Sequence, residues 1–175
     1  MLQKTTPFLA AIFIAIFAQL SITLPLNETN IPITGQTFAV LLVASILGRN
    51  KGSLAILIYL IMGTIGLPVF AKAASGYQTF FKGSGGFLYG FLIAAFVVGW
   101  LSDKGWGTTI LNALLLMLIG TIIIVFFGLI QLTFLYGFEK ALEYGFYPFI
   151  RGAIIKIVLG ALALQAYYSF MKTRK

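Results

Sequence analysis

Two cations interrupt the last long apolar segment of the chain, at positions where membrane hydrocarbon would be expected: Arg151 and Lys156. Gly152, Lys156 and Gly160 follow one another at a spacing of four residues, so they share one face of a helix. A charge at membrane depth is costly and usually faces a bundle interior or a wet cavity. Glycine above and below the lysine leaves room for a ligand. The pattern predicts the anion-binding end of a binding site.

A simpler interpretation of Lys156 stays open at this point. It follows Pro148 by eight residues, which is about 12 Å along a helix. From there its long side chain could reach back to the lipid headgroups. Arg151, at the start of the segment, is ordinary chemistry for a membrane interface.

The composition indicates an integral membrane protein and argues against an enzyme. Of the 175 residues, 60% are hydrophobic and 9% are charged, with a mean hydropathy of +1.02. The chain has no histidine and no cysteine, which removes common general bases, thiols and metal ligands. Its four acids are Glu28, Asp103, Glu139 and Glu143. We therefore expect no catalytic residues, no metal and no cofactor.

The uncharged runs predict the fold class: an all-α integral membrane protein with six transmembrane helices in one domain, residues 1–175. The expected helices are 7–21, 36–48, 53–67, 86–101, 108–135 and 148–171. Apolar and polar residues alternate on both sides of Asn27-Glu28-Thr29-Asn30, which predicts a short β-hairpin in the outer loop between helices 1 and 2. The first run lacks a cleavage site, so we expect it to be retained.

The distribution of lysine and arginine predicts the orientation. With six helices, one side carries seven cations: Lys4, Arg49, Lys51, Lys104, Lys172, Arg174 and Lys175. The other side carries four: Lys72, Lys82, Lys140 and Arg151. This predicts a multi-pass protein of the cell membrane with both termini in the cytoplasm. The net charge of +8 is thereby explained by topology, and no nucleic-acid partner is expected.

Two small-residue motifs have alternative explanations. Gly83-Ser84-Gly85-Gly86 does not end in the Gly-Lys-Ser/Thr of a Walker loop. It either lets a ligand approach the start of the fourth helix or serves helix packing. Ala11 and Ala15 are spaced for close approach of another helix, within the chain or from a partner.

Three blocks resemble the BioY family, the biotin-binding S components of energy-coupling factor (ECF) transporters. They are Pro-Ile-Thr-Gly-Gln-Thr-Phe from residue 32, Gly-Leu-Pro-Val-Phe from residue 66, and Gly-Gly-Phe-Leu-x-Gly-Phe from residue 85. The resemblance runs in register from about Ile22 to Leu164. It implies a protein that captures a vitamin outside, while a transmembrane T component and two ATPase subunits drive its release inward.

The resemblance also implies residue roles. Ala11 and Ala15 match an Ala-x-x-x-Ala docking surface for the T component. The candidate substrate-binding residues are Lys156, Arg151, Gly152, Gln36, Thr34, Gly85, Gly86 and Tyr89.

One departure from the family's pattern matters for the ligand. The last helix of the family usually has Pro-Gly-Asp-x-x-Lys, with the acid and the lysine at the biotin head. This chain keeps Lys156 but has Ala153 at the position of the acid. Biotin is the first expectation for the ligand. The alternatives are another carboxylated vitamin, such as a lipoate-like molecule, and a non-transporting membrane interaction protein with a decayed pocket.

Overall fold

In a computed structural model of the chain, the structure describes the backbone of residues 2–22 and 33–173. The longer helices are α1 (Leu2–Gln19), α2 (Gln36–Thr64), α3 (Gly85–Asp103), α4 (Ile110–Tyr136) and α6 (Tyr147–Thr173), with the short α5 (Phe138–Ala141) between the last two. Two strands, β1 (Ser21–Ile22) and β2 (Ile33–Thr34), pair antiparallel. Short 3-10 helices span Ala71–Ala73 and Tyr77–Phe81, and a π-helical turn spans Leu142–Phe146.

Within the described residues, four helices are long and apolar enough to cross a membrane: α2, α3, α4 and the Gly152–Thr173 part of α6. The apolar part of α1, Thr6–Gln19, is shorter. A helix satisfies its own backbone hydrogen bonds, which hydrocarbon cannot do for it. Long runs of leucine, isoleucine, alanine and phenylalanine therefore fold as helices.

Helix α2 folds back on itself at Gly48. That residue has φ 73° and ψ −177°, a conformation that is essentially restricted to glycine. Gln36 Nε2 and Tyr59 OH lie 2.6 Å apart across 23 residues, a stretch that would span about 35 Å in a straight helix. The two halves of α2 therefore run antiparallel.

Helix α3 packs against this bend. Asp103 Oδ2 accepts a hydrogen bond from the backbone N–H of Arg49 at 3.0 Å, so it satisfies a donor at the start of the second half of α2. A Cβ added to Gly99 would lie 2.7 Å from the Arg49 Cα. Glycine at this position lets the two backbones approach closely.

The core lies where α1, both halves of α2, α3, α4 and α6 meet. Its largest fully buried side chains include Ile14, Ile56, Tyr59, Leu116, Ile124 and Leu164. A Cβ at Gly90 of α3 would lie 2.9 Å from the Ile124 Cα of α4. Close contact of this kind replaces the hydrophobic driving force that is weak between helices in lipid.

Hydrogen bonds between helices show which helix ends lie together at each end of the bundle. Gln19 at the end of α1 bonds to Val69 and Phe70, in the segment between α2 and α3. At the other end, Gln165 near the end of α6 donates to the Gly107 carbonyl oxygen at 2.8 Å, just before α4. Helix α1 therefore begins, and α6 ends, at the same end of the bundle as the bend in α2.

The fold class predicted from the sequence is wrong in its β-hairpin. The short β-hairpin is not obtained, because the described pairing is limited to two residues on each side, Ser21–Ile22 with Ile33–Thr34. So short a pairing is far below what an independent hairpin needs, and its expected connection, residues 23–32, lies outside the described residues.

The predicted count of six spans is not confirmed: four helices of the described chain are long and apolar enough to cross a membrane. One of them is α2, whose two antiparallel halves cover most of the predicted helices 36–48 and 53–67. The chain reverses direction at Gly48, where the Asp103 carboxylate bonds to the backbone of Arg49.

We expect Gly48→Ala to destabilise the protein more than Gly105→Ala. Both glycines have positive φ, 73° and 88°, where a Cβ costs roughly 1–2 kcal/mol. At Gly48 the added methyl group would also collide with the Asp103 carboxylate, whereas nothing lies within 4 Å of a Cβ at Gly105. Thermal unfolding of the purified variants in detergent measures the difference. Equal losses would show that the Asp103 contact does not hold the bend.

Candidate ligand-binding site

A cavity of about 820 Å³ opens at the end of the bundle opposite the bend in α2. Small-molecule sites typically have volumes of about 300–1,000 Å³. Its walls come from the start of α2, the segment between α2 and α3, the end of α4, the π-helical turn and the start of α6. Side chains from each of these elements line it, among them Gln36, Thr37, Lys72, Tyr136, Glu143 and Phe149.

The floor of the cavity is made by a hydrogen bond between α6 and α2. Lys156 Nζ donates to Thr37 Oγ1 at 2.8 Å. The same ammonium lies 5.7 Å from the centroid of the Phe149 ring, within range of a cation–π interaction. Thr37 and Phe149 line both the main cavity and a small void beneath it, where Lys156 and Ala153 lie. The lysine thus points across the bundle and not toward the headgroups.

No acidic side chain among the described residues forms an ion pair with Lys156; its polar partner is Thr37. A cation inside an apolar bundle without a counter-charge is costly. A ligand that brings a hydrogen-bond acceptor to the floor would stabilise it. This makes Lys156 a candidate for ligand recognition rather than for structural support.

A second polar group in the wall is Gln36, which is 5% exposed. Its Nε2 donates to Tyr59 OH at 2.6 Å, and that hydroxyl donates to the Val69 carbonyl oxygen at 3.0 Å. These bonds fix the orientation of the carboxamide. Its oxygen accepts no hydrogen bond from the described residues, so it is available to a donor group on a ligand.

Two further glutamines hold the irregular segment between α2 and α3. Gln19 bonds to the segment at Val69, Phe70 and Ala73. Gln131 Nε2 donates to the Phe80 and Lys82 carbonyl oxygens at 2.9 and 2.6 Å. Backbone groups that would otherwise lack partners are satisfied in this way, and the wall of the cavity is held from both sides.

Aromatic rings supply much of the apolar wall. Phe87 of α3 and Phe149 of α6 stack with ring centroids 4.7 Å apart and planes 8° from parallel. Phe70 meets Phe80 edge to face at 6.0 Å. A flat, partly apolar molecule would find contact area on these faces.

The structure brings some of the predicted site residues together. Thr34 and Gln36 line the cavity, and Lys156 lies beneath it. Gly152 is buried in α6. The backbone of Arg151 belongs to α6, but its side chain lies outside the described residues.

The glycine pair and Tyr89 are placed differently. Gly85 and Gly86 are buried, and a Cβ on either would meet a backbone oxygen, that of Phe80 or that of Phe127. This contact corresponds to the packing explanation of the glycine motif. The neighbouring Gly83 and Ser84 line the cavity instead. Tyr89 is 45% exposed and is not among the residues that line it.

Sequence reasoning missed several residues of the site. Thr37 follows Gln36 directly, but its partner Lys156 lies 119 residues away, so no local pattern joins them. Lys72 and Glu143 were treated only as loop charges that set the topology. Phe149 follows Pro148 at the start of the charged segment, and its position there was the one available signal.

The two alanines proposed for docking have different surroundings. Ala11 is fully buried in the core, at 0% exposure, whereas Ala15 is partly exposed. The burial of Ala11 favours internal packing for that residue. Docking by Ala15 stays a prediction.

A membrane helical bundle with a small-molecule site at one end is the class of protein that this fold and cavity define. The chain matches the BioY family over residues 3–173. It belongs to the BioY family, as its sequence blocks predicted, and it is a multi-pass membrane protein.

Similar proteins agree with this assignment. The chain is 38% identical over 142 residues to a biotin transporter BioY of Thermotoga maritima, covering 81% of this chain and 82% of that protein. It is 35% identical over 169 residues to a biotin transporter BioY of Rhizobium etli, covering 90% of each. A solved crystal structure, the S-component for biotin from an ECF-type ABC transporter, superposes with a TM-score of 0.77 at 25% identity, covering 95% of this chain and 93% of that one.

Replacing Tyr59 with phenylalanine tests the network behind Gln36. Tyr59 is fully buried, and loss of its hydroxyl would leave the Gln36 amide without its partner and remove one donor from the Val69 carbonyl oxygen. We expect a loss of about 1–3 kcal/mol in stability, measured by thermal unfolding in detergent. Tyr89→Phe, at an exposed tyrosine of α3, is the control and should unfold like the parent. An unchanged Tyr59→Phe protein would contradict the network.

Proposed function

We propose that this chain is the substrate-binding subunit, or S component, of an ECF-type vitamin transporter and that its ligand is biotin. It is then a transport protein and not an enzyme. The single observation that carries the proposal is the Lys156–Thr37 floor under a cavity of about 820 Å³ in a chain of the BioY family. The relatives named as biotin transporters support the choice of ligand.

The chemistry of biotin fits the polar groups of the site. Its ureido carbonyl oxygen is a strong acceptor, which suits the Thr37 hydroxyl and the Lys156 ammonium. Its two ureido N–H groups need acceptors, and the free carboxamide oxygen of Gln36 is one. The sulfur-containing ring would lie against the stacked pair Phe87 and Phe149.

The alanine at position 153, where the family usually has an acid, affects the recognition of the ureido N–H groups. Ala153 lies in the small void beside Lys156 and offers no side-chain acceptor. A buried donor left without a partner costs about 1–3 kcal/mol. Gln36, held by Tyr59 at 2.6 Å, supplies that acceptor from the opposite wall.

The orientation follows from the distribution of charge. The end of the bundle with the α2 bend carries the described cations Arg49, Lys51, Lys104 and Lys172. The cavity end carries Lys72, Lys82 and Lys140, together with Glu139 and Glu143. By the positive-inside rule both termini are cytoplasmic, and the cavity opens outward. Biotin enters from outside, and a T component with two ATPase subunits drives its release inward.

Binding of biotin to the purified protein in detergent tests the proposal. Isothermal titration should give saturable binding of biotin, with lipoate and thiamine as comparison ligands. Tight binding of lipoate but not of biotin would show that the ligand is lipoate-like. The protein would still be an S component. No saturable binding of any of the three would favour a membrane interaction protein with a decayed pocket, the alternative that the missing acid at Ala153 supports.

We expect Lys156→Met to weaken biotin binding at least about tenfold, because a hydrogen bond from a charged donor contributes about 1.5–3 kcal/mol. The ligand-free variant should be as stable as the parent or more stable, since replacing a buried ionic group with an apolar one is often neutral or stabilising. Titration and thermal unfolding measure the two effects. Lys140→Met, at an exposed lysine of α5, is the control. Unaltered biotin binding by Lys156→Met would overturn its role at the floor.

Docking to the T component is tested at the two alanines separately. Ala15→Leu should keep biotin binding and stability but lose co-purification with the T component, because the backbones could no longer approach closely. Ala11→Leu should lower the thermal stability of the isolated subunit, since that site has 0% exposure and overpacking costs about 1–3 kcal/mol. Normal co-purification of Ala15→Leu would refute the docking role of Ala15.

A further inference from the structure

An uncommon backbone conformation occurs at the mouth of the cavity. Lys72 and Ala73 are the two non-glycine residues of the described chain with positive φ, 58° and 56°. Left-handed backbone is unfavourable for residues with a Cβ. Such strain persists only where the surroundings impose it, and it clusters at functional sites.

Backbone hydrogen bonds between Phe70, Ala71 and Ala74 close this turn, and a side chain of helix α1 holds it from outside. Gln19 Oε1 accepts a hydrogen bond from the Ala73 backbone N–H at 3.0 Å. Its Nε2 donates to the Phe70 carbonyl oxygen at 3.0 Å and lies 3.4 Å from that of Val69. One side chain therefore bonds to the chain on both sides of Lys72. Gln19 is the last residue of α1, and it fixes the turn from outside the segment.

The result is a single cation in the wall of the main cavity. Among the described residues that line it, Lys72 is the only lysine or arginine. Lys156 lies beneath the floor and is bonded to Thr37. Lys72 is exposed, so it stands at the wet mouth of the site, while the floor is partly buried.

We propose that Lys72 recognises the carboxylate of the ligand and that Gln19 is the positioning residue that holds it there. The proposal rests on the proposed function and adds the residues that recognise and position the carboxylate. The uncharged head of the ligand enters first and reaches Gln36 and Thr37. The carboxylate stays at the mouth beside Lys72.

Hydration favours this direction. A carboxylate loses much more free energy than a neutral ureido group when it leaves water. At the mouth it keeps part of its hydration and gains an opposite charge. The interaction resembles an exposed ion pair, so it contributes selectivity for a negative charge more than it contributes affinity.

The test compares biotin with biotinamide, which lacks the negative charge but keeps the head. Lys72→Gln should weaken biotin binding about fivefold at low salt, the size of an exposed ion pair, and leave biotinamide binding unchanged. High salt should reduce the difference. Lys72→Arg should restore the preference for biotin. Lys140→Gln removes a charge at the same end of the bundle outside the cavity and should change neither ligand.

Gln19 is tested through the same preference, which a purely structural change would not alter. Gln19→Leu should reduce the preference for biotin over biotinamide as far as Lys72→Gln does. In the double variant with Lys72→Gln and Gln19→Leu, the preference for biotin should fall little further, because each change removes the same interaction. Equal weakening of both ligands by Gln19→Leu would show a structural role only and refute the positioning.

The outcomes separate this inference from the proposed function. If the parent protein binds neither biotin nor biotinamide, the proposed function fails. If the parent binds biotin, the proposed function stands. The role of Lys72 is then refuted if Lys72→Gln weakens the binding of biotin and biotinamide equally, or weakens the binding of neither. If Lys156→Met instead abolishes the preference for biotin over biotinamide, the carboxylate lies at the floor, and the proposed direction is overturned.

Discussion

The hydrogen bond from Lys156 Nζ to Thr37 Oγ1, 2.8 Å long, joins the last helix to the start of α2 and separates the cavity from the core. Below it the bundle is closed by side chains such as Met117 and Ile124. Above it lies a cavity of about 820 Å³. A cation kept inside an apolar bundle is costly unless something compensates it. Within the described residues Thr37 Oγ1 is the polar partner of Lys156, so the residue that closes the floor can also bind an acceptor group of a ligand.

Side-chain amides hold the rest of the site in place. Gln19, Gln36 and Gln131 come from three different helices, and each bonds to backbone or to a buried hydroxyl around the segment between α2 and α3. Irregular backbone needs such partners, because its N–H and C=O groups are not satisfied by a helix. The wall of the cavity is therefore held by side chains from α1, α2 and α4. Because Gln19 bonds to this segment, a movement of α1 would displace the residues at the mouth of the site.

Local patterns in the sequence predicted some of this arrangement and missed the rest for physical reasons. The charge and glycine spacing around Lys156 was enough to single it out, and the blocks from residues 32, 66 and 85 were enough to predict the family. The sequence predicted a turn between residues 48 and 53, but the contact of Asp103 with Arg49, 54 residues apart, lies in no local pattern. Gly85 and Gly86 were predicted as candidate binding residues; a Cβ on either would meet a backbone oxygen, and their contact with a ligand stays a prediction. The hairpin was inferred from alternation alone, which does not ensure pairing.

A crystal structure of the protein with biotin bound would test the role of the Lys156–Thr37 floor. We expect ligand density in the main cavity, with the ureido group within hydrogen-bonding distance of Thr37 Oγ1 and Gln36 Oε1. The Lys156 ammonium should still lie beneath it, and the carboxylate should lie at the mouth beside Lys72. Biotin bound outside this cavity, or bound with no contact to the Lys156–Thr37 floor, would refute this role of the floor.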